Sequence, residues 1–467
     1  MNSMKNTAGV AGRLARLALL VGACGLCLAA PVMAQTTTAA TSPAASESYV
    51  PAASNLAARQ WFQDAKFGAF VHWGLYSQLG GVGTPTGAEW IMQNSRIPVK
   101  NYERLAGFFN PADFDADAWM KAFKSSGAHY LVITTKHHDG FAMWKSAASP
   151  FNVVDATPFG RDVIKEIAEA ARRNDIKLFF YFSQLDWRHP DYYPTGRTGQ
   201  FAGRPAGGDW DRYLDYQDAQ IRELMTNYGE IGGVWFDGWW DQEDTPLRNR
   251  WRLERTYKMI HDLQPQALIV NNHHQTPFDG EDYQTFERDL PGQNTMGYSP
   301  NVKPSDLPLE MAETMNGSWG YSLLDNRYKS VDTLVKTLVG AAGRNANLLL
   351  NTGPMPNGEI QPENLETYKK IGAWLKDYGV SIYGTRGGPV APRPWGVTTQ
   401  KGKTVYVHIL DNPDQRLFVP LTASVKSART LIGGKPVRVE RTEGGIYLTG
   451  AARPAGVVDH VITLDMN

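Results

Sequence analysis

Cysteine is nearly absent from this sequence. Its 467 residues include two cysteines, Cys24 and Cys27, and both lie in an N-terminal segment that is predicted to be removed. A mature chain without cysteine has no disulfide and no thiol nucleophile. The H-E-x-x-H pattern of zinc enzymes is missing as well, so the sequence predicts no metal site and no cofactor.

An excess of charge of one sign is also missing. Lysine and arginine total 47, aspartate and glutamate total 47, and the formal net charge is zero. A neutral chain has no long-range field to attract nucleic acid or an anionic membrane. The sequence therefore argues against a nucleic-acid partner, and it leaves the oligomeric state open.

Long apolar runs are missing except at the N-terminus. Leu17–Ala30 is apolar, follows Arg13 and Arg16, and precedes a small-residue cleavage pattern that ends at Ala34. The run is too short for a membrane span, and no other run approaches 18 residues. The pattern predicts a signal peptide over residues 1–34, and therefore a secreted, periplasmic protein.

Two further features belong to this N-terminal region. The residues before Cys24 resemble a lipoprotein processing site, and processing there would leave a lipid on that cysteine. Residues 35–55 are rich in alanine, threonine and serine, which predicts a flexible leader.

Aromatic residues, by contrast, are abundant. They make up 11% of the chain and include 14 tryptophans. In a neutral protein, such a supply favours a cleft for a polar ligand with flat apolar faces, such as a carbohydrate.

Helical patterns alternate with short apolar strands over residues 56–388. The helical spacing of Phe114–Ser126 is followed by the strand His129–Thr135, and that of Val163–Asn174 is followed by Lys177–Phe182. Repeated helix-then-strand units predict an α/β fold, a parallel (β/α)8-like TIM barrel with its site at the carboxyl ends of the strands.

The pattern changes over residues 389–467. Short alternating runs such as Thr404–Ile409, Ile446–Leu448 and Val457–Leu464 have no helical pattern between them. They predict a small C-terminal antiparallel β-sandwich domain.

The most informative stretch is Ile231–Asp241. It begins as an apolar run, ends at Asp237 and turns at Gly238, as expected for a barrel strand with a carboxylate at its mouth. Trp235 lies beside the acid and suits the apolar face of a sugar. From this stretch alone, Asp237 is either the cap of the next helix or a catalytic group.

A glycosidase needs a second carboxyl group with a raised pKa. The candidates are Glu287, Glu310 and Glu313. Phe286 would desolvate Glu287 and raise its pKa, whereas the charge of Arg288 would oppose this effect. The sequence does not decide between the candidates.

Three histidines follow apolar runs. His72 ends a strand-like run, and a lone histidine there is commonly a core residue. His137 and His138 are adjacent, so on a regular strand they would point to opposite faces, and facing one site would require a local distortion. Neutral imidazoles at these positions suit sugar hydroxyls.

Taken together, these segments resemble the α-L-fucosidases of glycoside hydrolase family twenty-nine. The resemblance runs from about Trp61 to Arg386. It is carried, in order, by Trp61–Gly68, Val71–Gly74, Glu89-Trp90, Lys136–Phe141 (K-H-H-D-G-F), Trp235–Gly238 (W-F-D-G), Ser318–Tyr321, Asn347–Asn351 and Ile382–Arg386.

The resemblance implies a retaining exo-α-L-fucosidase that releases terminal α-L-fucose from glycans through a covalent intermediate. It implies that Asp237 is the nucleophile. Thr285-Phe286-Glu287 lies where many members carry Thr-Pro-Glu, which favours Glu287 as the acid/base over Glu310, where Leu309 replaces the family's tryptophan. The implied fucose-binding residues are His72, Glu89, Trp90, His137, His138, Tyr181, Trp235 and Trp319.

One departure concerns the strand after Asp237. Many relatives have an arginine shortly after the Val-Asn that ends this strand, whereas this chain continues Asn272-His273-His274. Two alternative functions stay open: a glycosidase of the same fold that acts on another fucose-like sugar, and a carbohydrate-binding protein without catalysis. The partner in each case is a glycan, and neither its linkage nor its source follows from the sequence.

Overall fold

The computed structural model describes residues 48–84, 86–300 and 302–467. Ser48–Asn467 form one compact unit. The predicted signal peptide, and the predicted leader up to residue 47, lie outside the described residues.

Eight parallel strands form the first sheet of the described chain. They are β1 (Phe67–Val71), β2 (Tyr130–Lys136), β3 (Lys177–Ser183), β4 (Gly233–Asp237), β5 (Leu268–Asn271), β6 (Gln284–Glu287), β7 (Leu309–Thr314) and β8 (Ala346–Thr352). The order in the sheet is β5-β4-β3-β2-β1-β8-β7-β6, and the two edge strands approach each other where the Asp282 N–H donates to the Ile269 carbonyl at 2.7 Å. The sheet therefore curls into a nearly closed barrel, as predicted.

The helices of the described chain are α1 (Ala53–Ala65), α2 (Ile91–Asn94), α3 (Val99–Tyr102), α4 (Ala116–Ser125), α5 (Val163–Arg173), α6 (Trp210–Asn227), α7 (Leu253–Leu263), α8 (Val331–Gly343) and α9 (Pro362–Tyr378). Side-chain caps mark several starts. Asp162 accepts from the Lys165 N–H before α5, and Asp209 accepts from the first N–H groups of α6.

The strands are buried on both faces because different elements cover each side. Most of the helices follow a strand and cover the outside, as in other parallel sheets. Phe62 of α1 packs against Tyr130 and Tyr283, with ring centroids 5.3 and 4.5 Å apart, among the aromatic side chains inside the barrel. This packing leaves the opposite end, where the strands have their carboxyl ends, available for a site.

The strands β6 and β7 were not predicted. In the described chain, no helix separates β5 from β6, and none separates β6 from β7. The alternation on which the sequence prediction rested is therefore missing here. Residues 288–308 connect these two strands, with residue 301 outside the description.

The C-terminal region contains two antiparallel sheets. One has the order β13-β16-β11-β10-β9 and the other β12-β15-β14. These strands are β9 (Arg386–Gly387), β10 (Gly396–Lys401), β11 (Thr404–Ile409), β12 (Arg416–Val419), β13 (Val425–Thr430), β14 (Arg438–Thr442), β15 (Gly445–Thr449) and β16 (His460–Met466). An apolar core that includes Val407, Leu417 and Ile462 joins both sheets into the predicted sandwich. The short strand β9 comes just before the predicted boundary at residue 389.

Within the residues that the structure describes, no helix combines the length and the apolar content that a membrane crossing requires.

Candidate active site

A pocket of about 590 Å³ opens at the carboxyl ends of the barrel strands. Ten of the twelve residues that were proposed from the sequence for catalysis or binding line it, and Glu310 and Glu313 do not. The ten are His72, Glu89, Trp90, His137, His138, Tyr181, Trp235, Asp237, Glu287 and Trp319.

Asp237 is the last residue of β4 and carries a carboxylate surrounded by donors. Its Oδ1 accepts from the Gly238 N–H at 2.8 Å and from the Trp240 Nε1–H at 3.0 Å. Its Oδ2 accepts from the Tyr181 hydroxyl at 2.8 Å. The side chain therefore does not cap a helix: Gly238 turns the chain with φ 94°, and Trp240 folds back over the acid.

The electrostatic environment of Asp237 raises its pKa. Burial, together with the charge of Glu287, raises the pKa of Asp237 to about 7, although the bonds from Tyr181, Trp240 and Gly238 favour the ionised form. A perturbed carboxyl group in a cleft is typical of an active site.

Glu287, the last residue of β6, lies close to Asp237. The Asn272 side-chain nitrogen is 2.9 Å from Glu287 Oε2 and 3.5 Å from Asp237 Oδ1. The two carboxylate oxygens are therefore at most about 6.4 Å apart, the total of these two distances. This upper bound is compatible with the close spacing of retaining glycosidases, in which one carboxylate attacks directly.

Glu310 lies beneath the pocket, inside the barrel. It has no exposed surface, and it accepts hydrogen bonds from the Tyr130 hydroxyl at 2.7 Å and from the Trp235 Nε1–H at 3.0 Å. Burial raises the pKa of Glu310 to about 7. Its contacts support the floor of the pocket, and Glu310 is not among the residues that line the cavity.

The hydrogen-bond network fixes which nitrogen of His72 carries the proton. The Asn351 side-chain nitrogen donates to the Trp319 carbonyl at 2.7 Å, so the Asn351 oxygen faces His72 Nδ1 at 2.7 Å. His72 Nδ1 must therefore donate, which leaves Nε2 as an acceptor. Burial lowers the pKa of His72 to about 3, so the ring is neutral.

His138 is fixed in the same way. The Ser183 hydroxyl donates to the Leu185 carbonyl at 2.5 Å, so the contact of 2.7 Å with His138 Nδ1 must be a bond that His138 donates. The free Nε2 lies 3.7 Å from Asp237 Oδ2. Because burial lowers the pKa of His138 to about 3, this nitrogen is an acceptor for a ligand hydroxyl and not a cation paired with Asp237.

His137 and His138 both face the pocket, and the local distortion that this arrangement requires is present. Strand β2 ends at Lys136, with a register irregularity between Thr134 and Lys136, so the two histidines follow the strand and are free of its alternation. Their ring centroids are 4.1 Å apart, and His137 stacks on Tyr181.

Aromatic rings and one further acid complete the walls. Trp90 and Trp240 are nearly parallel, with centroids 5.7 Å apart. Glu89 is buried and accepts from the Gly320 N–H at 2.9 Å and from the Ser318 hydroxyl at 3.2 Å. Apolar faces beside fixed acceptors and donors are what a sugar ring requires.

Among the residues that the structure describes, no group of three or more His, Cys, Asp or Glu side chains is arranged to hold a metal ion.

Comparison with known proteins identifies the family. A family model described as Alpha-L-fucosidase matches residues 36–380. The chain belongs to the alpha-L-fucosidase family. The family, the glycoside hydrolase activity and the barrel fold that were predicted from the sequence are confirmed, and alpha-L-fucosidase membership implies fucosylated glycans as substrates.

Individual relatives agree with this assignment. The tissue alpha-L-fucosidase of Mus musculus is 30% identical over 385 residues, which cover 75% of this chain and 75% of the relative. The solved structure of alpha-L-fucosidase isoenzyme 1 from Paenibacillus thiaminolyticus is 36% identical, with a TM-score of 0.76, and covers 89% of this chain and 100% of that chain.

A second solved structure bears on the mechanism of its own protein. It is a trapped covalent intermediate of an alpha-L-fucosidase from Bacteroides thetaiotaomicron in complex with 2-fluoro-fucosyl fluoride. It is 29% identical, with a TM-score of 0.76, and covers 88% of this chain and 96% of that chain.

The sequence analysis missed several residues of the site. Neither Trp240 nor Asn272 was predicted as a site residue, and Asn272 was noted only as part of the departure from the alpha-L-fucosidase pattern. A polar residue directly after a barrel strand is the signal that would have found Asn272. The other missed residues of the pocket include Thr86, Asn94, Arg197, Glu243, His274, Gln275, Arg288 and Tyr298.

Proposed function

We propose that this protein is a retaining exo-α-L-fucosidase in which Asp237 is the nucleophile and Glu287 is the general acid/base. The observation that carries the proposal is the placement of the two carboxyl groups in one pocket, joined through Asn272. Retaining enzymes hold this pair close together, because one carboxylate must reach the anomeric carbon while the other reaches the leaving oxygen.

The first step breaks the bond to the leaving group. An Asp237 oxygen attacks C1 of fucose, the bond between C1 and the glycosidic oxygen breaks, and the Glu287 proton moves to that oxygen. In the second step, Glu287 takes a proton from water, the water oxygen attacks C1, and the bond to Asp237 breaks. Two inversions at C1 give net retention.

The remaining residues bind and orient the sugar. The Nε2 acceptors of His72 and His138 and the carboxylate of Glu89 face into the pocket and suit the hydroxyls of fucose. The Trp235 ring stacks on Tyr181, and both rings exclude water from the reacting carbon. No step requires a metal or an organic cofactor.

The function is tested by following hydrolysis of an aryl α-L-fucoside by proton NMR. We expect α-L-fucose to form first, before mutarotation produces the β anomer. Formation of the β anomer first would contradict the double displacement. Turnover of an aryl α-L-galactoside, which has the hydroxyl arrangement of fucose, in preference to the fucoside would favour the alternative sugar.

Replacing Glu287 with glutamine should move the acid limb of the pH profile to lower pH. Asp237 must be ionised to attack, so the wild type should lose activity as the pH falls through about 7. The substitution removes a negative charge that raises this pKa, while the burial of Asp237 remains. The measurement is kcat/KM for a dinitrophenyl fucoside, whose leaving group needs no proton.

The matched control for the pH experiment is Glu310→Gln. Glu310 is not among the groups that raise the pKa of Asp237, so its acid limb should stay where the wild type has it. An acid limb that moves upward, or not at all, in Glu287→Gln would show that the two carboxyl groups are not coupled.

The protein's cellular location belongs to the proposal as well. The pattern of residues 1–34 supports export to the periplasm with cleavage after Ala34. The first residue of the protein recovered from the periplasm should be Gln35, and a lipid on Cys24 would instead favour lipoprotein processing.

A further inference from the structure

The pocket is larger than one fucose ring needs. Its volume of about 590 Å³ is several times that of a deoxyhexose. An exo-acting enzyme must hold the leaving part of the glycan in the space that fucose does not fill.

The lining residues divide by burial into two sets. His72, Glu89, His137, His138 and Tyr181 are buried and surround Asp237 at the inner end. The outer set is half-buried or exposed and consists of Arg197, Glu243, His274, Gln275 and Tyr298. Glu287, whose proton goes to the leaving oxygen, is half-buried between the two sets.

The loop after β5 is built to present its side chains to the outer pocket. His273 Nδ1 accepts from the Gln275 N–H at 2.9 Å, and its Nε2 contacts Glu281 at 3.0 Å. These bonds anchor His273, and the next residue, His274, adopts φ 59°. Such a backbone conformation costs free energy in a non-glycine residue and persists where the surroundings enforce it, commonly at functional sites.

His274 and Tyr298 form an aromatic wall beside Glu287. His274 Nε2 is 3.6 Å from Glu287 Oε2, and the His274 ring lies 5.4 Å from the Tyr298 ring. Tyr298 is 44% exposed although it is a large aromatic residue. An exposed ring at the mouth of a sugar pocket is suited to stack on a second sugar.

The polar side chains of the outer pocket are hydrogen-bonded to one another. Gln275 Nε2 donates to Glu243 Oε1 at 3.0 Å, and Arg197 Nη2 donates to Glu243 Oε2 at 2.8 Å. Arg197 Nε also donates to Asp244 at 2.8 Å. Two carboxylates therefore surround one guanidinium, which suits neutral hydroxyls and disfavours an anionic group.

We propose that these five outer residues form a subsite for the leaving group, with Tyr298 stacking on a neutral sugar and the Gln275, Glu243 and Arg197 side chains binding its hydroxyls. The proposal rests on the proposed function, because it places fucose at the inner end. It assigns the substrate class as a fucosyl di- or oligosaccharide whose second sugar carries no charge.

The experiment compares two fucosides that need the same proton from Glu287. One is methyl α-L-fucoside, whose leaving group has no ring to place on Tyr298, and the other is a disaccharide of fucose and a neutral hexose. In Tyr298→Ala, the ratio of kcat/KM for the disaccharide to that for the methyl fucoside should fall roughly tenfold, the effect expected when one stacking ring is lost. Tyr298→Phe should keep the ratio near the wild-type value.

Met296→Ala is the matched control. Met296 lies two residues before Tyr298 in the same loop, is 42% exposed, and does not line the pocket. Its ratio should be that of the wild type. If Tyr298→Ala lowers kcat/KM by the same factor for both substrates, the ratio is unchanged and the subsite assignment is overturned.

The preference of the outer pocket for a neutral second sugar can be tested separately. A disaccharide of fucose and a uronic acid should be a poorer substrate than the neutral disaccharide, and Glu243→Gln should narrow this difference several-fold. An anionic disaccharide that wild type prefers would overturn the assignment. If wild type hydrolyses neither the methyl fucoside nor an aryl fucoside, the proposed function itself fails, and that outcome is distinct from a failure of the subsite.

Discussion

Replacing Asp237 with alanine should lower kcat/KM for an aryl α-L-fucoside by roughly four orders of magnitude, the size of effect seen when a nucleophile is removed. The variant keeps the pocket but has no atom to form the bond to C1. Azide should restore turnover, because this small anion fits the space of the carboxylate and attacks from the same face. The product should be β-L-fucosyl azide, identified by NMR.

The control for this loss is Asp241→Asn. Asp241 is a fully buried acid four residues later, bonded to Tyr192 and Thr198, and it does not line the pocket. We expect its kcat/KM to stay within about threefold of the wild type. An Asp237→Ala enzyme that keeps more than a tenth of its activity would exclude Asp237 as the nucleophile.

Replacing Glu287 with alanine should have the second largest effect, and the effect should depend on the leaving group. For a natural glycoside, loss of the general acid should lower kcat/KM by roughly two to four orders of magnitude. For a dinitrophenyl fucoside the first step needs no proton, so kcat/KM should fall far less. Azide should then react with the covalent intermediate and give α-L-fucosyl azide, with retained configuration.

Glu310→Gln distinguishes this role from that of the alternative acid. Glu310 is fully buried, is bonded to Tyr130 and Trp235, and lies beneath the pocket. Glutamine keeps the shape of the side chain, removes the charge that burial already disfavours, and replaces one acceptor oxygen with a donor nitrogen. In Glu310→Gln, we expect any loss of kcat/KM to be the same for good and poor leaving groups, and we expect no fucosyl azide to form. If Glu310→Gln shows the dependence on the leaving group and forms α-L-fucosyl azide, while Glu287→Ala shows neither effect, Glu310 is the acid/base and Glu287 is not.

The sequence predicted those parts of the barrel in which local pattern and fold agree. The helix predicted over Val163–Asn174 ends one residue earlier in the structure, and the strand predicted over Lys177–Phe182 ends one residue later. In contrast, β6 and β7 follow loops without helices, and β7 carries glutamates among its apolar residues. Hydrophobic periodicity does not reveal such strands, because their burial depends on neighbours distant in sequence.

The candidate site was predictable where a residue followed a strand or matched a family motif. Asp237 and the histidine pair are of this kind. The outer residues were not predictable, because Arg197, Gln275 and Tyr298 come from separate loops with no pattern of their own. Only tertiary contacts, such as those of Glu243 with Arg197 and Gln275, bring them together.

The orientation of the histidine pair depends on where β2 ends. Alternation along a strand was the correct rule for residues within β2, but the strand ends one residue before His137. Strand ends are the least reliable part of a prediction from pattern. A difference of one residue there decides whether the two rings separate or meet.

The central claim is that Asp237 forms a covalent bond to fucose, and peptide mapping by mass spectrometry tests it most directly. The enzyme would be incubated with 2-fluoro-fucosyl fluoride, whose fluorine at C2 slows release of the intermediate, and then digested at low pH. We predict one 2-fluorofucosyl group per chain, on the peptide that contains Asp237 and at that residue. A label on another carboxylate, or turnover of natural substrate with no label at all, would contradict the account.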